Sequence, residues 1–256
     1  MMETIDHYAY ASRMRGINPQ LKAVVAMGTL ILCIGADNFW VSVTVLLTMS
    51  AVIIWGGGLT FLKYLNLLKI PLGFLILGTA AIVIEISSRP FGYVLFHGFG
   101  HYVWVSKEGG MTALKLVLKA MGALSAMYML VLSTPASEVI GVLKNLRVPK
   151  LMIELMHMIY RFIFVMTDTQ RLMKQAAVSR LGYRDFKTSC RTFGSSAGNL
   201  FVVSLKRAGT YYDAMTARCY DGELLFLSEE KGVRPWQVVA ALSYFLILLL
   251  IYILAT

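Results

Sequence analysis

Residues 235–254 read PWQVVAALSYFLILLLIYIL, twenty positions without one ionised side chain. A bilayer core about 30 Å thick takes roughly 20 apolar residues of α-helix. Inside hydrocarbon every backbone N–H and C=O must find a partner within the protein, which a helix provides by itself. The stretch therefore marks an all-α integral membrane protein. Four earlier runs share its character, at about 21–36, 39–57, 67–86 and 110–134. Five spans are expected. The bulk composition agrees, because only 15 % of the 256 residues are charged, against about 25 % in soluble domains. An ordinary soluble domain and a disordered chain are both excluded.

The charges that remain are concentrated. Lys and Arg number 24 and Asp and Glu 14, a net of +10. Residues 135–234 hold 15 of the basic and 9 of the acidic residues, a net of +6. The chain thus divides into four N-terminal spans (1–134), a charged helical block (135–234) and a last span (235–256). Basic residues favour the cytoplasmic side of short loops. The first loop, Asp37 and Asn38, has none, whereas Lys63 and Lys69 mark the second as cytoplasmic. Alternation then places the N-terminus with Arg13 and Arg15 inside, 87–109 outside, the charged block inside and Ala255-Thr256 outside. Lys115 and Lys119 fall near the outer end of the fourth span, where they snorkel or meet Glu85. Glu85 itself, with Arg89 and these lysines in reach, reads as a structural ion pair rather than an intramembrane functional acid.

Cys33, Cys190 and Cys219 lie far apart without a CxxC pair, which suits a reducing compartment or membrane burial. Glu3 and Asp6 sit in the first twenty residues ahead of any apolar core, so no cleaved signal peptide is expected.

Within the block, Pro135 and Pro149 bracket a short helix, ASEVIGVLKNLRV. Lys150 to Ser179 follows without Pro or Gly, and Glu154, His157, Arg161, Asp168, Arg171 and Gln175 fall on one helical stripe. That stripe is expected to be the wetted edge, with Asp168 and Arg171 a local i,i+3 pair and His157 bonding along the Glu154–Arg161 row. A second helix is expected over about 199–218, after breaks at Gly182 and the TSCRTFGSSAG run, 188–198. The two helices end alike. One closes on Ala176-Ala177-Val178-Ser179-Arg180 and the other on Ala214-Met215-Thr216-Ala217-Arg218, with Tyr183 and Tyr220 and then Asp185 and Asp221 beyond. An arginine there either complements the helix dipole or projects from small residues into a partner's groove, where its guanidinium meets carboxylates or carbonyls. Its duplication in one chain fits a two-fold symmetric partner engaged by one end per subunit.

These paired endings, together with LRVPKLMIELMHMIYRFIFV at 146–165, IDHYAYASRMRGINPQLK at 5–22 and AMTARCYDGE at 214–223, resemble the transmembrane T component of energy-coupling-factor transporters. The likeness is to its cobalt-type CbiQ subfamily and extends over essentially the whole chain. The resemblance implies a non-catalytic coupling subunit of an ATP-driven importer in a prokaryotic cell membrane. Its implied partners are two ATP-binding cassette ATPase subunits, a substrate-binding membrane subunit of the cobalt M type with a small accessory membrane protein, and the lipid bilayer, not nucleic acid. Ser179-Arg180 and Ala217-Arg218 correspond to the family's ATPase-docking signatures, supported by Ala176, Tyr183, Ala214, Tyr220 and Asp221. Leu181 and Cys219 depart from the glycines that follow the arginine in those signatures. Cobalt is the implied substrate, with nickel close to it and a vitamin-type system as the alternative.

A transmitter of motion needs stiff ends and a compliant body. Met152, Met156, Met158, Met166 and Met173 suit the second role as well as ordinary core filling. No Gly-Lys dipeptide, and hence no Walker A phosphate loop, occurs in the sequence. No cofactor and no resident metal are expected, and Gly56-Gly57-Gly58 reads as a turn between helices. His97 and His101 are four apart in the outer loop, but Gly98 and Gly100 between them argue against a helix that would chelate a metal, and His7 and His157 have no partner at ligand spacing. An integral-membrane enzyme on lipid-linked substrates would want clustered acids, and the nine acids of the block are scattered. A stand-alone permease would want polar residues facing one another within several spans, which these spans lack.

Overall fold

A computed structural model describes residues 2–87, 93–98, 101–105, 107–222, 224 and 231–255, with side chains over 6–83, 109–222, 224 and 231–254. In chain order the helices are α1 (Met2–Ala11), α2 (Pro19–Ala36), α3 (Phe39–Ala51), α4 (Phe61–Val83), α5 (Lys107–Ser133), α6 (Ala136–Asn145), α7 (Lys150–Ser179), α8 (Phe186–Thr216) and α9 (Pro235–Ala255). The strands β1 (Ile84–Ser87), β2 (Tyr93–Gly98) and β3 (His101–Val105) lie between α4 and α5. The chain forms two compact units, one of residues 1–139 and 230–256, the other of 140–229.

Five helical segments of the first unit are long and apolar enough to cross a membrane: Pro19–Ala36, Phe39–Gly56, Phe61–Val83, Gly109–Ser133 and Pro235–Leu254. Local chemistry sets their starts. Asn18 caps α2 by accepting the Gln20 N–H at 2.8 Å, with Pro19 in the first turn where no backbone donor is missed. Asn38 caps α3 by accepting the Trp40 N–H at 3.1 Å. The third span begins earlier than the apolar run suggests, because α4 is already helical from Phe61 and carries Lys63, Lys69 and Pro71 within it. A π-helical turn, Val52–Gly56, closes the second span, and Gly56-Gly57-Gly58 forms the turn beyond it under the Met14 side chain.

Packing centres on α5, which touches α1, α2, α3 and α4, while α9 lies against α2 and α3. The buried set includes Ala26 and Cys33 of α2, Val41, Val45 and Met49 of α3, Tyr64 and Leu68 of α4, Met121, Ala126, Met129 and Leu132 of α5 and Leu248 of α9. Large apolar side chains such as Trp40, Phe74, Leu77 and Leu254 stay on the outside, as lipid contact allows. Between helices in lipid the attraction comes from close van der Waals approach, which small residues permit. Gly122 is such a point: a Cβ there would stand 3.0 Å from Cys33 Sγ and 3.0 Å from the Ser42 carbonyl oxygen.

Several buried polar groups of this unit are matched. Lys22, only 2 % exposed on α2, donates its ammonium to the Ser133 carbonyl at 2.8 Å and the Met14 carbonyl at 3.2 Å. Thr48 and Tyr244 join their hydroxyls at 3.1 Å, and Ser50 and Tyr64 at 3.0 Å. Lys119 binds Asp37, at 2.7 Å, a partner beyond the two roles the sequence offered it, snorkelling or meeting Glu85. The ammonium beside it holds the Asp37 carboxyl below the usual carboxylate range. The side chains of Glu85, Arg89, His97 and His101 lie outside the described residues.

The connection between α4 and α5 holds a three-stranded antiparallel sheet in the order β1-β3-β2. His97 and His101 belong to the adjoining strands β2 and β3, with Gly98 opposite His101. This small sheet sits within a protein whose membrane-spanning segments are all helical.

Gly122→Val should lower the melting temperature of the detergent-solubilised protein by the equivalent of about 1–3 kcal/mol, because a backbone carbonyl faces the added carbons. Gly141→Ala, with open space at its Cβ, is the control and should not.

Candidate coupling-helix ends

In the second unit α7 and α8 are 30 and 31 residues long. The first matches the Pro- and Gly-free stretch residue for residue. The second corrects the expected break at 188–198: α8 is continuous from Phe186, through Gly194 and Gly198. Each glycine costs about 1 kcal/mol against Ala, which is too little to interrupt a helix whose hydrogen-bond ladder continues on both sides. The run Gly194-Ser195-Ser196-Ala197-Gly198 has the spacing of a hydrolase nucleophile elbow, which the sequence reading missed. That GxSxG spacing needs a sharp strand-to-helix turn to expose its serine, and here it lies in mid-helix.

The contacts between α7 and α8 fix their direction. Phe162 and Arg161 meet Tyr211, with ring centroids 4.8 Å apart and the guanidinium 5.3 Å from the Tyr211 centroid. Ser204 Oγ donates to Met166 Sδ at 2.9 Å. Thr192 Oγ1 donates to the Gly182 carbonyl at 2.8 Å near the turn. Pairs that rise on one helix as they fall on the other define an antiparallel hairpin. Extending that register puts Arg218 level with the start of α7, about 27 residues from Arg180, or ~40 Å at 1.5 Å per residue. Arg180 is at the tip of the hairpin, Arg218 at its base, and both are exposed.

The two ends share one backbone geometry. After Arg180, Leu181 takes φ +56°; after Arg218, Cys219 takes φ +60°. The Gly182 N–H donates to the Ala177 carbonyl at 2.9 Å and the Leu181 N–H to that of Val178 at 3.0 Å. At the other end the Tyr220 N–H donates to Met215 at 3.1 Å and the Cys219 N–H to Thr216 at 3.0 Å. These are the paired bonds of a Schellman motif, which satisfies the orphan carbonyls of a helix terminus. The left-handed residue is usually glycine, and at both ends here it is not. The departures noted in the sequence therefore leave the termination intact at a conformational cost of roughly 1–2 kcal/mol each. Gly182 is held by sterics: a Cβ would stand 2.9 Å from the Ala177 carbonyl oxygen and 3.0 Å from Thr192.

Around the arginines small and polar side chains mix with the exposed apolar Val178 and Leu181. Ala176, Ser179, Ala214 and Ala217 are exposed, as are Tyr183 and Asp221, while Tyr220 is half-buried. Asp168 and Arg171 pair at 3.9 Å, both largely exposed. At the other end of the polar stripe Glu154 is dry rather than wet. Glu154 is buried and accepts the Leu224 N–H at 3.2 Å, a partner distant in sequence that helical spacing does not reveal. Arg161 is engaged with Tyr211. Burial, with Lys144 adding repulsion, pushes the His157 imidazole below its ordinary value. Among the described residues no group of three or more His, Cys, Asp or Glu is placed to hold a metal ion.

Residues 11–231 match the family described as cobalt transport protein, CbiQ. A protein of Methanocaldococcus jannaschii described as uncharacterized is 29 % identical over 250 residues, covering 96 % of this chain and 91 % of that one. The cobalt transport protein CbiQ of Salmonella typhimurium is 26 % identical over 225 residues, 87 % of this chain and 99 % of that one. A fused cobalt transport protein, CbiMQ, of Methanocorpusculum labreanum is 27 % identical over 251 residues, 97 % of this chain but 41 % of the fusion.

Leu181→Gly and Cys219→Gly should each raise stability by about 1 kcal/mol, since glycine adopts positive φ without the Cβ clash. Gly182→Ala should lower it, by about 1–3 kcal/mol. Thermal unfolding of the purified protein reads all three. A depressed His157 means that the unfolded chain takes up its proton first as pH falls. Stability should then decline on acidification from about pH 6.5 down to the folded value, and His157→Gln should remove that part of the slope.

Proposed function

The chain belongs to the CbiQ cobalt transport protein family, and we propose that it is the transmembrane coupling subunit of an ATP-driven energy-coupling-factor importer for a divalent metal, cobalt or nickel. The observation that carries the reading is the duplicated helix end, an exposed arginine on a Schellman-terminated helix, found at both ends of one antiparallel hairpin. In this reading each end seats in one subunit of an ATPase dimer. The guanidinium is planar, always charged and forks toward two acceptors, so it holds a carboxylate or a pair of carbonyls with defined orientation. The separation of ~40 Å suits two grooves on two subunits rather than one shared site. Closure of the dimer on ATP would bring the grooves together and load the hairpin lengthwise. Helices of 30 and 31 residues transmit that load.

The chain performs no chemistry in this account; hydrolysis belongs to the ATPases and metal recognition to a separate membrane subunit. The fused relative joins a CbiQ-like part to further sequence in one polypeptide, which supports an M-type membrane subunit as the neighbour. Orientation follows from the basic residues: the N-terminus with Arg13 and Arg15, the Lys63–Lys69 segment and the block 135–234 on the cytoplasmic side, the C-terminus outside. The block then faces the compartment where ATP is.

Co-expression with a paired ATPase set tests the reading. Wild-type protein should capture the ATPases, and cells should accumulate cobalt. Arg180→Ala plus Arg218→Ala should reduce both at least tenfold at unchanged membrane abundance. Undiminished capture and uptake by the double variant would sink the docking claim.

A further inference from the structure

Glu138 and Lys231 stand where the chain leaves and re-enters the first unit, which runs to Val139 and resumes at Glu230. Both belong to that unit. Lys231 Nζ lies 2.6 Å from Glu138 Oε1, with the two side chains only 14 % and 19 % exposed. The same ammonium donates to the Arg15 carbonyl at 2.7 Å, and the Lys231 carbonyl accepts from Asn18 Nδ2. One residue from Glu138, Ser137 Oγ meets Tyr10 OH at 3.4 Å. Lys22, in electrostatic range of Glu138, ties α2 to the Ser133 and Met14 carbonyls. The second oxygen of Glu138 is buried without a hydrogen-bond partner among the described residues. Neutralising Lys231 would therefore leave a buried carboxylate without its bonded cation, with Lys22 the remaining positive charge in range.

Beyond Glu138, α6 continues as unbroken helix to Asn145. The ion pair thus joins the first turn of α6 on the outgoing side to the segment leading into α9 on the returning side. We propose that Glu138 and Lys231 are a positioning pair for transport. They hold residues 138 and 231, the last and first parts of the first unit on either side of the second, together on α1, α2 and the end of α5, so that a load on the arginine ends turns the spans instead of parting these two segments. A surface salt bridge contributes little, but this one is largely desolvated and its ammonium also holds the Arg15 carbonyl. The inference rests on the coupling role proposed above.

The test uses the assembled complex in proteoliposomes, with ATP hydrolysis and cobalt uptake measured on the same preparation. Lys231→Met should bind ATPases as wild type does yet move at least fivefold less cobalt per ATP hydrolysed, and Lys231→Arg should stay within twofold of wild type. Since Lys231→Met strands a buried charge, Glu138→Gln with Lys231→Met provides a variant with neither charge left unpaired. It should assemble normally and show the same loss. A role confined to stability would lower only the yield of complex. Wild-type uptake per ATP in the double variant overturns the inference while leaving arginine docking standing. Failure of the wild-type chain to capture ATPases overturns both.

Discussion

Hydrocarbon leaves a backbone amide nowhere to turn but its own chain, and the rest of this molecule follows from that constraint. It makes each of the five spans a helix, confines most of the charge to one block, and leaves the sheet β1-β3-β2 outside the apolar segments. It also explains why the few polar groups within the spans are spent on carbonyls and hydroxyls close by, as Lys22 is on Ser133 and Met14. With lipid outside, apolar burial gives the helices little reason to associate. Close approach around α5, at Gly122 above all, supplies the contact that holds them.

The charged block obeys different physics. α7 and α8 are amphipathic and pack through mixed contacts: an arginine over a tyrosine, an aromatic pair, a hydroxyl on a thioether. Their ends are more ordered than their sequences suggest. Leu181 and Cys219 occupy a backbone region that favours glycine, and the paired hydrogen bonds that follow each arginine compensate for it. The result is that two exposed arginines project from termini of fixed geometry rather than from fraying turns. The docking proposed for them would then lose less conformational entropy than it would from a loose end.

Much of the architecture is legible in local pattern. The run at 235–254 and the Pro- and Gly-free stretch 150–179 announce a span and a long helix because each carries its signal in consecutive residues. The paired Ala-x-x-small-Arg endings are visible for the same reason. Where the reading failed, the deciding partner was remote. Lys119 chose Asp37 across 82 positions, Glu154 found the Leu224 amide across 70, and Gly194 and Gly198 stayed helical because the ladder on either side outweighed their local preference. Lys22, inside the first apolar run, carried no sign of burial at all.

By itself the sequence determined that the chain spans a membrane with five helices, where its charge lies, and that two helices end on matching arginines. Periodicity and composition are properties of neighbouring residues, and they dictate which face of a helix avoids water. They do not say which other helix covers that face. Only the tertiary structure decided that α7 and α8 run antiparallel, which sends the two arginines to opposite ends of one hairpin, ~40 Å apart at 1.5 Å per helical residue. It alone brought Glu138 and Lys231 together across 93 positions, because a contact that closes so long a loop depends on everything packed between its ends.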